Sequence, residues 1–346
     1  MRRLLVPASW LYGMMVAVRN RAFDIGLLPA TSAGVPVISV GNLTAGGTGK
    51  TPLVGEIVGR LLAKGKMPAV VSRGYGRRSR GVVVVSRSGT VLVDAAAGGD
   101  EPVQIAGTYP GASVVVGERR ADAAAIAVKE CRANAIVMDD GFQHRHLRRD
   151  LDIVVLDARV NIRREPLLPA GTRREWLSAL RRASLLVFTR VEGDELPAWS
   201  RELPLEVQGK TALCRNRIAG FCDAGGGAAG FPTGRVLAFS GIGDHVQFIR
   251  TLKEAGVELA GELRFGDHHI YTRREAAGIV RETKRLGCDA IITTEKDHAR
   301  LAALPDAMDE LRRGPPLRVA RLALSFTQGS ETLERMIDEC LERGAA

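Results

Sequence analysis

Cysteine is sparse and scattered in this chain: Cys131, Cys214, Cys222, Cys288 and Cys340 are widely separated and odd in number. No two form a CxxC pair, so neither a zinc site nor a disulfide framework is indicated, and a reducing compartment is the simple reading. Aromatic residues are equally few, at 5%. A nucleic-acid module that stacks bases needs aromatics interleaved with its basic residues, and no recognisable binding motif stands in for them. No apolar run reaches the roughly 20 residues that a membrane-spanning helix requires. Internal repeats, low-complexity tracts and long stretches of low hydrophobicity with high charge are all missing, which argues against an array or an extended disordered region. What remains is a chain of 346 residues, 45% apolar, able to bury a substantial core and long enough for about two domains.

The formal charge is +10, and arginine far outnumbers lysine. Such a surplus suits an anionic partner: a nucleotide, a nucleic acid or acidic lipid headgroups. At the N-terminus, Arg2 and Arg3 precede an uncharged stretch over residues 4–18, which Arg19 and Arg21 follow. A secretory signal would begin in the same way, but the following arginines and the lack of a small-residue cleavage site speak against one. Two readings stay open: an arginine-flanked apolar helix lying in a membrane interface, or a helix packed on its own domain. Pro7 and Gly13 weaken the expectation of a long regular helix.

From residue 35 onward the pattern is that of an α/β protein. Strands are predicted over 35–40, 67–72, 112–116, 135–138, 153–156 and 185–189, with a hairpin over 82–86 and 91–93. Helices are predicted over 50–62 and 120–132. The Gly-rich segment 220–234 reads as a linker or flexible loop. A second unit follows, with strands over 236–240, 259–265, 290–294 and 317–324 and helices over 245–255, 273–286 and 330–343. Strands alternating with helices predict a doubly wound, mostly parallel sheet.

The chemistry concentrates at the ends of these strands. Gly46-Gly47-Thr48-Gly49-Lys50-Thr51 lies between a predicted strand and a predicted helix. Glycines let backbone N–H groups approach phosphates closely, lysine reaches the β- and γ-phosphates, and a hydroxyl serves Mg²⁺. The usual phosphate-binding loop starts with glycine where this chain has Thr44. A second signal is the apolar strand that delivers Asp139 and Asp140, since a magnesium ion must be held opposite the loop lysine. On its own, Asp-Asp-Gly would also serve as a surface turn. Gly99-Asp100-Glu101-Pro102 closes a Gly-rich loop, and Asp100 is a candidate base for a hydroxyl. An aspartate with a pKa of about 3.9 is a weak base without a partner. Asp267-His268-His269 offers such a partner, but spacing alone favours a capping aspartate and two surface histidines, because nothing local brings residues 100 and 268 together.

Taken together, these segments resemble the tetraacyldisaccharide 4′-kinase family, which makes lipid IV-A during lipid A synthesis. The matching pieces are Ser39-Val40-Gly41-Asn42-Leu43-Thr44 running into Gly47-Thr48-Gly49-Lys50-Thr51-Pro52, then Ser72-Arg73-Gly74-Tyr75-Gly76, Gly99-Asp100-Glu101-Pro102 and Asp139-Asp140-Gly141-Phe142-Gln143-His144. Leu168-Pro169-Ala170-Gly171, Arg174-Glu175, Phe239 with Gly241-Ile242-Gly243, Asp267-His268 and Thr294-Glu295-Lys296-Asp297 follow in the same order. Thr44 at the first loop position is itself a feature of that family. Thr172-Arg173, where the family more often has Pro-Leu, and an insertion over 225–230 are departures.

The resemblance implies a P-loop NTPase-like α/β core over residues 31–211, rejoined by a C-terminal helix over 327–346. It also implies a smaller α/β domain over 224–315, a two-stranded linker over 212–223 and 316–326, and an N-terminal membrane-interface helix over 1–30. The enzyme would phosphorylate the 4′-hydroxyl of a tetraacylated glucosamine disaccharide 1-phosphate with ATP and Mg²⁺, at the cytoplasmic face of the bacterial inner membrane, without a nucleic-acid or protein partner. By the same resemblance, Thr44, Ala45, Gly46, Gly47, Thr48, Gly49, Lys50 and Thr51 hold the nucleotide. Thr51, Asp139, Asp140 and Glu175 serve the metal, and Asp100 takes the hydroxyl proton with support from His268. Arg73, Tyr75, Arg120, Gln143 and Arg174 are candidates for phosphate or substrate contact. The alternative is a P-loop ATPase or GTPase acting as a regulator or metal-insertion factor, for which Thr294-Glu295-Lys296-Asp297 loosely resembles a guanine-reading tetrapeptide.

Overall fold

A computed structural model describes residues 2–344 apart from positions 48, 192 and 268. Two compact units are present, residues 1–215 with 324–346 and residues 216–323. In chain order the first unit contains α1 (Val6–Asp24), β1 (Val37–Asn42), α2 (Lys50–Ala63), β2 (Pro68–Ser72), β3 (Val83–Arg87), β4 (Thr90–Val91), α3 (Ala95–Gly98), α4 (Asp100–Thr108), β5 (Ser113–Val116), α5 (Arg120–Cys131), β6 (Ala135–Asp139), β7 (Leu151–Asp157) and β8 (Leu185–Thr189). The strand β9 (Thr211–Asp223) leads into the second unit, which holds β10 (Ala228–Ala229), β11 (Val236–Ser240), α6 (His245–Glu254), β12 (Leu259–Arg264), α7 (Arg273–Leu286), β13 (Ala290–Thr294), α8 (Glu295–Ala302) and α9 (Pro305–Leu311). The strand β14 (Leu317–Gln328) leads back to α10 (Ser330–Arg343) in the first unit.

The strands of the first unit lie in the order β4-β3-β5-β2-β6-β1-β7-β8-β9. They are parallel from β5 through β9, and β3 and β4 run antiparallel at one edge. Every residue of β1, β2, β5, β6, β7 and β8 is buried. That follows from helices covering both faces, which lets the strands be continuous apolar runs. On one face Ile38 and Val40 pack with Leu53, Val54, Ile57, Val58 and Leu61 of α2 and with Leu333, Ile337, Cys340 and Leu341 of α10. On the other, Val37, Ile136 and Met138 meet Ala123, Ala124, Ala127 and Cys131 of α5. The doubly wound, mostly parallel sheet is the architecture that the alternating pattern predicts.

In the second unit β12-β11-β13-β14 form a parallel sheet. Helix α7 opens with a capping box between Thr272 and Glu275 and ends at Gly287, which has a φ of +63°, the terminal signals that fix a helix's length. Segment 220–234, expected as a linker or loop, contains the antiparallel pairing of β9 with β10, where Asp223 accepts hydrogen bonds from the N–H groups of Gly225 and Gly227.

Two other local expectations need correction. Asp100 does not close a loop; it opens the nine-residue helix α4, after Gly99 turns the chain with a φ of +92°. Pro7 and Gly13 do not shorten α1, which runs for 19 residues. Proline in the first turn forfeits no helical hydrogen bond. Gly13 is required by packing, because a Cβ there would lie 2.6 Å from Leu167 Cδ1 and 2.7 Å from Trp176 Cζ2. Among the described residues, no helix is long and apolar enough to cross a membrane.

Candidate active site

The middle strand β1 lies between β6 and β7. In such open sheets the crevice at the carboxyl ends of the strands is where ligands bind. The register pairs Val40 of β1 with Asp139 of β6, so the glycine loop after β1 and the aspartates after β6 emerge side by side. Gly41 permits this approach, since a Cβ on it would lie 2.5 Å from the backbone nitrogen of Phe142. Gly141 does the same from the other side, with a Cβ position 2.6 Å from Ser39 Oγ.

The loop itself is braced at three points. Ala45 N–H donates to Thr172 O at 2.7 Å, and Thr44 bridges to Arg173. Arg190 Nη1 donates to Gly47 O at 2.8 Å while also pairing with Asp157 at 2.6 Å. Gly46 and Gly49 have φ values of +114° and +85°, which side chains rarely adopt. A Cβ on Gly46 or Gly47 would meet nothing within 4 Å, so backbone rather than side chains faces open space there. Gly49 gives α2 no side-chain cap, and the first turn carries no acid. Such a helix start presents unsatisfied N–H groups to an anion. Thr48 lies outside the described residues.

Lys50, the first residue of α2, places Nζ 3.3 Å from Asp140 Oδ1. Asp140 sits at φ +51°, a left-handed conformation that aspartate tolerates better than most residues. Arg174 Nη1 grips both of its carboxylate oxygens at 2.9 Å. Burial works against ionisation of Asp140, but the attraction of Lys50 and Arg174 outweighs it and holds the pKa below the usual carboxylate range. Asp139 differs. Its Oδ1 is buried without a hydrogen-bond partner, and burial, then the negative charges of Glu101 and Asp140 against the pull of Lys50, push its pKa up to about 7. A site that raises a carboxylate this far has room in its charge balance for a cation. Among the described residues no three His, Cys, Asp or Glu side chains form a metal cluster. Magnesium bound beside a nucleotide needs only one or two carboxylates, because phosphates and waters supply the rest.

The other expected residues fall around this centre. Arg120 is buried, donates from Nη1 to Gly117 O at 3.3 Å and Glu118 O at 3.0 Å, and feels the charges of Asp140, Arg73 and Asp139. Gln143 Nε2 donates to Asn42 O at 3.0 Å, and its Oε1 accepts from Arg174 at 3.3 Å. Tyr75 is 83% exposed on the turn after β2. A Cβ on Gly99 would lie 3.2 Å from Tyr75 O, so that turn and the start of α4, where Asp100 and Glu101 sit, are neighbours. Glu175 is engaged elsewhere: it accepts from Asn20 Nδ2 at 2.6 Å and Arg182 Nη2 at 3.0 Å, with Arg19 at 3.8 Å. Its neighbour Arg174 is the residue that reaches Asp140. His268 lies outside the described residues. His269 is committed within its own unit, 3.1 Å from Glu275 and stacked among Phe265 and Tyr271.

Sequence reasoning assigned no role to Glu101 or Arg190. Glu101 adjoins Asp100 in the quoted motif, and that adjacency was the available signal. Arg190 carries none, because only the fold brings the end of β8 against the loop.

A model of the family described as tetraacyldisaccharide-1-P 4′-kinase matches residues 1–342. Tetraacyldisaccharide 4′-kinase of Chlorobium luteolum is 40% identical over 346 residues, covering 96% of each chain. The protein of the same name from an Anaeromyxobacter species is 41% identical over 347 residues, 98% of this chain and 92% of that one. The crystal structure of LpxK from Aquifex aeolicus in complex with ATP superposes with a TM-score of 0.78 at 31% identity, covering 98% of this chain and 99% of that one. With a family match along nearly its whole length and relatives this similar over theirs, the chain belongs to the tetraacyldisaccharide-1-phosphate 4′-kinase family.

Proposed function

We propose that this kinase transfers the γ-phosphoryl group of ATP to the 4′-hydroxyl of a tetraacylated glucosamine disaccharide 1-phosphate, giving lipid IV-A, at the cytoplasmic face of the inner membrane. The observation that carries the reading is the meeting of Lys50 and Asp140 at 3.3 Å, beside an open glycine loop and a buried, under-compensated Asp139.

Phosphoryl transfer asks a protein mainly for positioning and charge neutralisation. Lys50 and the N–H groups at the start of α2 hold the β- and γ-phosphates. Thr51, Asp139 and Asp140 are the residues that would hold Mg²⁺, which when bound neutralises charge developing on the phosphate oxygens. Asp100 accepts the 4′-hydroxyl proton as the oxygen–phosphorus bond forms and the bond to the ADP leaving group breaks. Arg174 orients Asp140, and Glu175 acts one step further out by fixing the segment that carries Arg174. Arg73, Tyr75, Arg120 and Gln143 are the residues offered for phosphate or acceptor contact. A four-chain lipid stays in the bilayer, since each buried methylene is worth about 0.8 kcal/mol. The exposed apolar side of α1 brings the enzyme to it.

The rival regulator reading loses its one sequence hint. Asp297 is fully buried and accepts from Gly241 N at 3.0 Å, Tyr271 OH at 3.0 Å and Thr294 Oγ1 at 2.7 Å, so that tetrapeptide serves the fold of its own unit.

Purified protein incubated with labelled ATP and the lipid disaccharide in detergent is expected to yield the labelled bisphosphate. Lys50→Ala and Asp100→Ala are expected to lower kcat/KM by roughly 10²-fold or more. ATP hydrolysis indifferent to the lipid would favour the regulator.

A further inference from the structure

Beside α1, on the segment whose Arg173 bridges to Thr44 and whose Arg174 reaches Asp140, lies a cleft of about 650 Å³ lined by Arg163, Arg164, Arg173, Trp176, Leu177 and Ser178. Three guanidinium groups share one concavity. The facing carboxylates are fewer. Glu202 pairs with Arg163, and Glu165 lies close enough to Arg173 to act on its charge while its Oε2 accepts from Thr172 at 2.9 Å. Arg164 forms no ion pair among the described residues. Arg173 Nε is buried and has no hydrogen-bond acceptor. Three guanidinium groups facing so few carboxylates leave the cleft positively charged, which suits an oxyanion.

The apolar wall says where that oxyanion comes from. Trp176 donates from Nε1 to Gly13 O at 3.0 Å, and its ring lies 5.5 Å from Trp10 on α1. Trp10 is 63% exposed, next to the exposed Leu11, Met14 and Met15. The cleft is therefore continuous, through Trp176, with the apolar helix face assigned above to the membrane. Tryptophan at the edge of an apolar face with arginines beyond it is the distribution that a lipid headgroup layer favours.

We propose that this cleft binds the phosphate of an anionic membrane phospholipid, with Arg163 and Arg164 as its principal donors and Trp176 as its floor. Guanidinium groups suit the task because each presents two parallel N–H bonds to phosphate oxygens. The proposal rests on the membrane reading of α1 and adds to it a preference for charged lipid.

The test is binding of the full chain to vesicles of phosphatidylcholine alone and of phosphatidylcholine mixed with phosphatidylglycerol. The Arg163→Gln/Arg164→Gln double variant is expected to lose about tenfold or more in affinity for the mixed vesicles, from about fivefold for each basic group near an anionic surface, and to bind phosphatidylcholine as the parent does. Arg335→Gln/Arg343→Gln, at two exposed arginines on α10, removes the same charge elsewhere and is expected to keep both affinities. An equal loss in that control, or no loss in the Arg163/Arg164 variant, would overturn the proposal. So would displacement of the parent from mixed vesicles by inorganic phosphate at the concentration of lipid phosphate, which would mark a free-anion site. A raised KM for the lipid acceptor in pure detergent would assign the cleft to the substrate's own phosphate and overturn it too. Failure of the parent to bind either vesicle would sink the membrane reading together with this one. Loss of binding to both vesicles in a variant of the α1 face, with charge preference abolished only in the double variant, separates the two.

Discussion

His144 shows how a single residue of the site can be held in one protonation state by its surroundings. Burial first, and then the cation of Arg120, lower its pKa to about 4. The neutral ring is also the form the fold uses, because His144 Nε2 accepts the backbone N–H of Arg120 at 3.3 Å. A protonated ring could not accept that bond. In the unfolded chain the same histidine titrates near 6.5, so between about pH 6.5 and pH 4 the unfolded state binds the extra proton. Stability contributed by neutral His144 is thus fully present above about 6.5 and is lost as pH falls toward 4. Urea unfolding at pH 7 and pH 5 is expected to show a larger loss in the parent than in His144→Gln. An identical pH dependence in the two would mean that His144 does not titrate differently on folding.

Among elements, the segment from Pro166 to Trp176 is the piece that sequence alone could not place. It has no regular structure to betray it, yet it is bonded on both sides. Toward α1, Ser9 Oγ donates to Leu167 O at 3.0 Å, Tyr12 OH donates to Arg174 O at 3.0 Å, and Asn20 donates to Glu175 at 2.6 Å. Toward the nucleotide loop, Arg174 N–H donates to Leu43 O at 2.8 Å and Ala45 N–H to Thr172 O at 2.7 Å. The same ten or so residues therefore fix the angle of α1, the start of the loop and the arginine on Asp140. Glu175 is the anchor, fully buried, with Arg182 and Asn20 as partners. Glu175→Ala is expected to destabilise the fold by about 3 kcal/mol or more, because breaking a buried pair leaves the other charge uncompensated. Glu175→Gln keeps an acceptor for Asn20 and is expected to cost clearly less. Denaturant midpoints of the two variants check this, and equal losses would show that charge plays no part in the anchor. The strands and long helices were legible because hydrophobic period and turn residues are local properties. Asp100 at the head of a helix was not legible, because Gly99 before it reads as a loop signal and Pro102, which favours a helix's first turn, reads as one as well.

At the scale of the whole molecule, the N-terminal helix packs on its own domain along one face and leaves a second, apolar face exposed. Ser9, Gly13 and Val16, spaced four and three residues apart, are buried against the core, one stripe of a helix. Leu4, Trp10, Leu11, Met14, Met15 and Val18 are exposed, and a contiguous apolar patch of this kind on a folded surface marks an interaction face. A periodicity argument could not separate the two, because the stripe that packs is made of small residues and the one that does not is made of large ones. This division also decides how membrane attachment is to be tested. Removing residues 1–24 would strip Glu175 of Asn20 and uncover Leu167 and Trp176, so a shift to the soluble fraction would be confounded by damage to the fold. Substitution on the exposed face avoids this, because none of those side chains fills the core. Fully burying a side chain such as leucine or methionine is worth about 1.5–3 kcal/mol, so replacing Leu11, Met14 and Val18 together with serine is expected to lower partitioning onto phosphatidylcholine vesicles by roughly 10²-fold or more. The thermal midpoint is expected to stay within a few degrees of the parent, since exposed positions contribute little to stability. A triple variant that stays folded and sediments with vesicles as the parent does would show that the large apolar face of α1 is turned to something other than lipid.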